Sequence, residues 1–313
     1  MSGTTHARRR VLFLYNVPDW AIHHVGLDWA SEITDTHEVK LVRYGRHENE
    51  RPETWDHVVW GYSTLDYSGR ARLASLLERP LGWGRWRRPS PRFAAVIQDP
   101  SELFDEAPDW RTRAPRTAHL ARFRRLAVTS NEMLAVTRRL GLETVKVNTR
   151  SRLPLRDAAT LVPERLRVVT RAVEYPRKNL ALFRSLRARL CATVERFDEI
   201  LGRQVSTEAE YARLLDGYNV YVCTSWQEGG PLPLMDAQRR GCVVLTTRVG
   251  QTDERVVDGE NGFFCDTEDE FVRRLAMLRD DPERLFHMRR CALERAAADL
   301  GPSIRAQLRA FLP

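Results

Sequence analysis

The chain has 313 residues, 42% hydrophobic and 29% charged, with 17 glycines and 16 prolines. That length suits two domains of about 150 residues each, and the balance excludes disordered and collagen-like classes. Fifty Lys+Arg against 42 Asp+Glu leave a net charge of +8, which favours an anionic partner (nucleotide, nucleic acid, anionic lipid or acidic sugar) without choosing among them.

Five cysteines, Cys191, Cys223, Cys242, Cys265 and Cys291, all lie in the C-terminal half, with no C-x-x-C spacing. Reduced thiols are expected, rather than a disulfide framework or a zinc site. The N-terminus is basic, but its apolar run is only "VLFLY" before Asn16 and Pro18, too short for the apolar region of a signal peptide. No run approaches the ~18 apolar residues of a membrane span. We therefore expect a cytoplasmic protein, still able to dock on a membrane surface.

Taken in chain order, short apolar runs alternate with longer amphipathic stretches. "RVLFLYN" (10–16), "EVKLVRY" (38–44), "DHVVWGY" (56–62), "FAAVIQD" (93–99) and "LAVTSN" (126–131) read as strands, with a helical "GLDWASEITDT" (26–36) after the first. That alternation gives a mostly parallel sheet covered on both faces. The polar, proline-containing segment 149–163 interrupts the pattern. After it, "RLRVVTRA" (165–172), "YNVYVCTS" (218–225) and "GCVVLTTR" (241–248) are strand candidates of a second sheet. The expectation is an α/β protein of two Rossmann-type lobes, residues 1–155 and 156–313. The second ends in helices from about Asp281, broken at Gly301-Pro302. Ligands of open α/β sheets bind beyond the carboxyl ends of the strands. "TRAVEYPRK", "CTSWQEGG" and "TTRVGQTDE" each follow such a strand and are expected to face one crevice.

Within the second half, "SWQEGGPLPLMDAQRRG" (225–241) sets Glu228 and Asp236 on either side of a glycine-proline turn. Proline sits in a helix only within its first turn, so Pro231 and Pro233 fix a helix start at about residue 231 and Gly241 a stop. Glu228 then lies on the preceding loop and Asp236 in the second turn. Gly229 and Gly230 let the backbone approach a ligand, and the helix N-terminus offers unpaired N–H groups with about half a positive charge. An anion, most simply a phosphate, suits that place. The prolines thin its donors to Gly230, Leu232 and few others, so cationic side chains are needed as well.

The segment 223–264 resembles the signature region of the family-4 retaining glycosyltransferases, enzymes of the GT-B fold with two Rossmann lobes facing across a cleft. The family pattern is a Ser, Glu-Gly-x-Pro-x-x-x-x-Glu, a Gly-x-Pro-Val-Val strand and a Gly-Gly-x-x-Glu turn. Here the acids are Glu228 and Asp236, and the turn is Val249-Gly250-Gln251 with Glu254 downstream. The resemblance implies that Glu228 contacts hydroxyls of the donor sugar and that Asp236 holds the ribose diol, with Gly229, Gly230 and Leu232 beside the donor. Aspartate in place of glutamate shortens the reach by one methylene. "VVTRAVEYPRKNLALF" (168–183) is similar to the family segment that sets two cations on the diphosphate, here Arg171 and Lys178. Arginine grips phosphate oxygens bidentately, lysine adds a point charge, and both stabilise the departing nucleotide. "LGRQVSTEAEYARLL" (201–215) resembles the element beside the nucleobase, which makes Arg203 and Val205 base-contact candidates. The stretch before it has room for about one strand where relatives carry a further β-α unit.

The N-terminal lobe is the acceptor side by the same resemblance. "YNVPDWAIHHVGLDWASEI" is similar to a Pro-x-Trp-Ala loop of some relatives, which would turn Trp20, His23 and His24 to the cleft. Packing at a helix start explains a Trp and a His equally well. Where many relatives carry a His after a strand, this chain has Gln98-Asp99. Gln98 can donate a hydrogen bond without titrating, and Asp99 can act as an acceptor-side base. The stretch 79–92, "RPLGWGRWRRPSPR", holds five arginines and two tryptophans. It suits an anionic membrane interface, a polyanionic acceptor or nucleic-acid stacking, or is simply a solvated arginine-rich loop.

The resulting expectation is transfer of a sugar from a nucleotide-diphosphate sugar, with retention, to a sugar-containing, lipid-linked or small acceptor. Glu228, Arg171 and Lys178 carry the catalysis. No metal or other cofactor and no nucleic acid is expected. The alternatives are a catalytically silent nucleotide-sugar binder and a nucleic-acid-binding protein.

Overall fold

The computed structural model describes residues 7–18, 21–64, 86, 88–201, 207–298 and 301–313. It divides into two compact units: Met1–Asp105 with Arg111–Thr149 and Leu300–Pro313, and Glu106–Trp110 with Arg150–Asp299.

In the first unit, β1 (Arg9–Tyr15), β2 (His37–Arg43), β3 (His57–Trp60), β4 (Ser90–Ile97), β5 (Phe123–Val128) and β6 (Val145–Lys146) form a parallel sheet in the order β2-β1-β3-β4-β5-β6. β3 is buried at all four positions and Leu12, Val58, Ala95 and Ile97 are fully enclosed, as expected of strands covered on both faces. The helices α1 (Ala21–Glu32) and α2 (Asn131–Arg139) lie in this unit. Ser130 caps α2 by accepting from Met133 N at 3.2 Å, which satisfies one of the amides a helix start leaves open.

In the second unit, β7 (Arg167–Ala172), β8 (Arg196–Leu201), β9 (Val220–Cys223), β10 (Val243–Thr246) and β11 (Gly262–Phe264) form a second parallel sheet in the order β11-β10-β9-β7-β8. Val220 of β9 stands beside Val168 of β7 and Val243 of β10. The helices are α3 (Leu180–Leu190), α4 (Glu208–Asp216), α5 (Leu232–Arg239), α6 (Thr252–Arg255), α7 (Glu268–Asp280) and α8 (Pro282–Ala297). Phe183, Leu186, Phe271, Leu275 and Met288 close one face of the sheet. Tyr211, Leu215, Leu234 and Ala237 close the other. Both sheets are therefore Rossmann-like, and β8 occupies the place where the sequence leaves room for one strand.

Three expectations need correction. The division falls at residues 149 and 150, not 155 and 156, and the chain does not pass between the units once. Glu106–Trp110 belongs to the second unit because Trp110, 1% exposed, donates from Nε1 to Trp226 O at 3.3 Å. The last helix, α9 (Gly301–Phe311), belongs to the first unit. Its buried Ile304, Leu308 and Phe311 find their partners there: Phe311 packs edge-on against Trp29 at 6.3 Å, and Arg309 pairs with Asp35 at 2.7 Å. An apolar helix stripe needs a core, and the sequence does not say which of two cores takes it.

Candidate functional site

The loops after β7, β9 and β10 interlock at the carboxyl edge of the second sheet. Asn179 takes the left-handed conformation (φ 47°) and starts α3. Thr224 Oγ1 donates to the carbonyls of Lys178 and Asn179 at 3.1 and 3.0 Å, and Trp226 N donates to Arg177 O at 2.7 Å. From the third loop, Thr247 Oγ1 donates to Ser225 O at 2.6 Å. Gly250 (φ +55°) comes so near that a Cβ there would lie 2.2 Å from Gly229 O. Only glycine supplies both that backbone conformation and that clearance.

A pocket opens at this edge, lined by Thr170, Arg171, Lys178, Ser225, Glu228 and Pro231, with Tyr221, Cys223, Thr224 and Pro233 completing it. The three residues expected to carry catalysis are thus together. Glu228 is 7% exposed; its Oε1 pairs with Lys178 Nζ at 2.5 Å and accepts from Ser225 Oγ at 2.7 Å. Among the described residues its Oε2 accepts no further hydrogen bond. A carboxylate oxygen left open in this way can receive a hydroxyl donor. Arg171 is held differently: its guanidinium carbon lies 4.0 Å above the Tyr211 ring, and its backbone N–H and C=O both meet the Tyr221 hydroxyl, at 3.4 and 3.1 Å.

The helix start falls where the prolines put it, with Pro231 as the N-cap residue of α5. Leu234 N and Met235 N turn back to Pro231 O at 2.9 and 3.2 Å, so the amides of Gly229, Gly230 and Leu232 precede those the helix consumes. At the other end Gly241 (φ +78°) follows the last turn. Asp236 is half-buried one turn into the helix, and its Oδ1 accepts from Ser151 Oγ at 2.5 Å. Burial pushes its carboxyl up to about 7, against the pull of Ser151 and the Arg171 charge. Asp236 therefore already has a hydroxyl partner, and it does not line the pocket with Glu228.

Of the remaining candidates, Trp20, Arg203 and Val205 lie outside the described residues, as does most of the arginine-tryptophan stretch. Its described part is mixed: Arg88, Pro89 and Pro91 are exposed, but Trp86 is not. Trp86 is 4% exposed and packs against Trp60 and Phe93, and residues from Ser90 onward form β4. Aromatic area is worth more in the core than in a basic loop. His23, in α1, packs against Tyr15 with ring centres 4.4 Å apart and the planes tilted by 34°.

Gln98 and Asp99 follow β4 in the first unit, where a second polar cluster forms. Gln98 Nε2 donates to Gly61 O at 2.9 Å. Asp99 caps a short 3-10 turn by accepting from Ser101 N at 2.9 Å, and Tyr62 OH reaches its Oδ2 at 3.4 Å. Beneath them Glu102, 2% exposed, accepts from Ser63 N at 2.6 Å, from Ser63 Oγ and from Gln98 N. Burial, with the neighbouring Asp99 charge, pushes Glu102 up to about 8. Ser63 Oγ also lies 3.2 Å from His119 Nε2. Gln98 and Asp99 are thus fixed by local bonds, which qualifies both as acceptor-side groups only through what these bonds leave over.

Sequence reasoning missed Ser151, Tyr211 and the Glu102 cluster. Tyr211 stands 40 positions from Arg171 and Ser151 stands 85 from Asp236, so no local spacing signals them. Glu102 left one trace, Asp99-Pro-Ser-Glu102, a capping pattern of the kind read from sequence at helix starts.

Residues 200–295 match the family model described as glycosyl transferases group 1. No curated protein matches the sequence. Among solved structures, sucrose-phosphate synthase from Thermosynechococcus elongatus is similar at 13% identity and TM-score 0.62, over 97% of this chain and 98% of that one. HepE from Anabaena, in complex with UDP and glucose, is similar at 13% identity and TM-score 0.61, over 97% and 99%. The pneumococcal O-GlcNAc transferase GtfA, in complex with UDP and GlcNAc, is similar at 15% identity and TM-score 0.57, over 82% of this chain. The chain spans 56% of the GtfA chain's length. The fold is accordingly the two-sheet α/β architecture of GT-B glycosyltransferase structures, and the segment that matches the group 1 model contains Glu228 and Asp236.

Proposed function

We propose that this chain is a glycosyltransferase that moves a sugar from a nucleotide-diphosphate sugar to an acceptor hydroxyl, with retention at the anomeric carbon and without a metal. The observation that carries the reading is the convergence of Arg171, Lys178 and Glu228 on one pocket at the carboxyl ends of β7 and β9. Two cations beside glycine amides suit a diphosphate, and they stabilise the charge that grows on it as the glycosidic bond breaks. Glu228 Oε2 is the acceptor for a donor-sugar hydroxyl. Solved structures that share the fold hold UDP with glucose or GlcNAc, which makes uridine diphosphate sugars the first donors to try. The acceptor, glycan, lipid-linked or small, belongs to the first unit on this reading, beside His23, Gln98 and Asp99. Peripheral attachment to an anionic membrane is part of the proposal; among the described residues no helix is long and apolar enough to cross one.

A second reading has its own support. Because Asp236 is bonded to Ser151, a protein that binds nucleotide sugars without turning them over also fits. A thermal-shift panel of UDP, GDP, ADP and dTDP sugars separates the two from a protein of other function. A ligand at 100 times its Kd adds about 2.7 kcal/mol. Labelled-donor hydrolysis or transfer, with and without EDTA, then separates an enzyme from a silent binder. If no nucleotide sugar shifts the melting temperature, both readings fail.

A further inference from the structure

Arg171 and Lys178 line the same pocket but are held by opposite means. Lys178 is neutralised by Glu228 at 2.5 Å. Among the described residues, Arg171 meets no carboxylate within ion-pair distance, and what holds its guanidinium is the face of Tyr211, with the guanidinium carbon 4.0 Å from the ring centre. Tyr211 comes from α4, is 4% exposed, and packs with Val169, Leu215, Tyr221, Leu234 and Val244. Its hydroxyl is buried and meets no hydrogen-bond partner among the described residues; the Arg171 guanidinium lies over the ring, near enough to the phenol oxygen to pull the phenol's pKa down against burial. Burial and the Asp236 charge push that phenol well above its usual range, which keeps the ring neutral and the contact a cation–π one.

A guanidinium held over a ring instead of by a carboxylate keeps N–H donors of its five-donor fork available for a ligand. A carboxylate partner would have consumed two of them and cancelled the charge. Stacking also removes much of the rotamer freedom that a long side chain would otherwise lose on binding a ligand.

We propose that Tyr211 is the positioning residue of the diphosphate site: its ring presents Arg171, charged and with its donor edge open, to the two phosphates of a nucleoside diphosphate. The inference rests on the nucleotide-sugar reading above. It assigns Arg171 as the pre-formed anion contact and Lys178 as the cation that must exchange Glu228 for phosphate.

The test uses the full chain with UDP, GDP, ADP and dTDP by calorimetry, carrying forward the diphosphate that the unmodified protein binds most tightly. Tyr211→Leu is expected to weaken binding about tenfold and Tyr211→Phe to restore it. Because residue 211 is buried and the leucine variant can fail to fold, mono-, di- and trifluorophenylalanine at position 211 provide a graded series. They keep the packing while draining the negative face of the ring. Affinity for the diphosphate should fall stepwise along the series, to about a tenth at the trifluoro ring, while affinity for the matching nucleoside without phosphates stays level. A flat series overturns the inference, and so does a phenylalanine variant as weak as the leucine one. Arg171→Ala is the control for the underlying reading. If it binds the diphosphate as the unmodified protein does, or if no diphosphate binds, the diphosphate site itself is wrong. If it loses binding while the fluorinated series stays flat, only the role of Tyr211 is.

Discussion

Each sheet ends, at its carboxyl edge, in a polar cluster, and the two treat charge in opposite ways. In the second unit Arg171 and Lys178 line an open pocket, and among the described residues one of them, Arg171, has no carboxylate within ion-pair distance. In the first unit Asp99 and Glu102 turn inward onto Ser63, Ser101, Tyr62 and the Gln98 amide. There the buried acid resists ionisation, with its carboxyl at about 8. Parallel sheets put ligand sites at the same end whatever the ligand. The residues on the loops decide whether that end attracts an anion or instead forms a nearly neutral hydroxyl-bonding surface.

The contrast breaks outright if the cations are dispensable. Arg171→Ala and Lys178→Ala are each expected to cut sugar transfer about a hundredfold while the melting temperature changes little; full activity in either variant removes the diphosphate from this pocket. Next in size is a test of the interlock. Gly250→Ala forces a Cβ to 2.2 Å from Gly229 O at a positive φ, and should cost about 2 kcal/mol of stability by denaturant unfolding and lower nucleotide affinity with it. An unaffected variant would mean that the third loop does not brace the glycine turn.

A smaller effect sharpens the division of labour inside the pocket. Glu228→Gln keeps the size of the side chain but frees Lys178 from its counter-charge. Turnover should fall about tenfold while affinity for the nucleoside diphosphate holds or rises. Equal losses in both would place Glu228 in the support of the loop rather than beside the sugar.

The smallest expected effect concerns the first unit. Glu102 titrates at about 8 in the folded protein against 4.5 ordinarily. Between those pH values the folded state holds a proton that the unfolded state has lost, so stability falls as pH rises through that window. Asp236, raised from 3.8 to about 7, adds a decline of the same sign. Glu102→Gln has no proton to lose at this position, so its unfolding free energy between pH 5 and 8 should decline less than that of the unmodified protein. Parallel pH profiles would mean that Glu102 is ionised in the fold.

By itself the sequence determined the local elements and the chemistry at their ends. Alternating apolar runs gave the main strands of both parallel sheets. Pro231, Pro233 and Gly241 set the limits of the helix after the glycine turn, because proline and glycine constrain the backbone wherever they stand. Glu228, Arg171 and Lys178 could be named because the segments that carry them, the end of β7 with the turn after it and the loop after β9, resemble the family's donor-site segments. The short strands β6 and β11 escaped that reading because two and three residues carry no periodicity to detect; the helix Glu268–Asp280 escaped it too, although Thr267 and Glu270 form a capping box at its start. Only the tertiary structure decided what depends on residues distant in sequence. It assigned Gly301–Phe311 to the first unit and Glu106–Trp110 to the second. It bonded Asp236 to Ser151 and laid Arg171 on Tyr211. The physical reason is that backbone propensity acts over a few neighbours, whereas burial, ion pairing and ring stacking are settled by whichever surfaces the folded chain brings within a few ångströms.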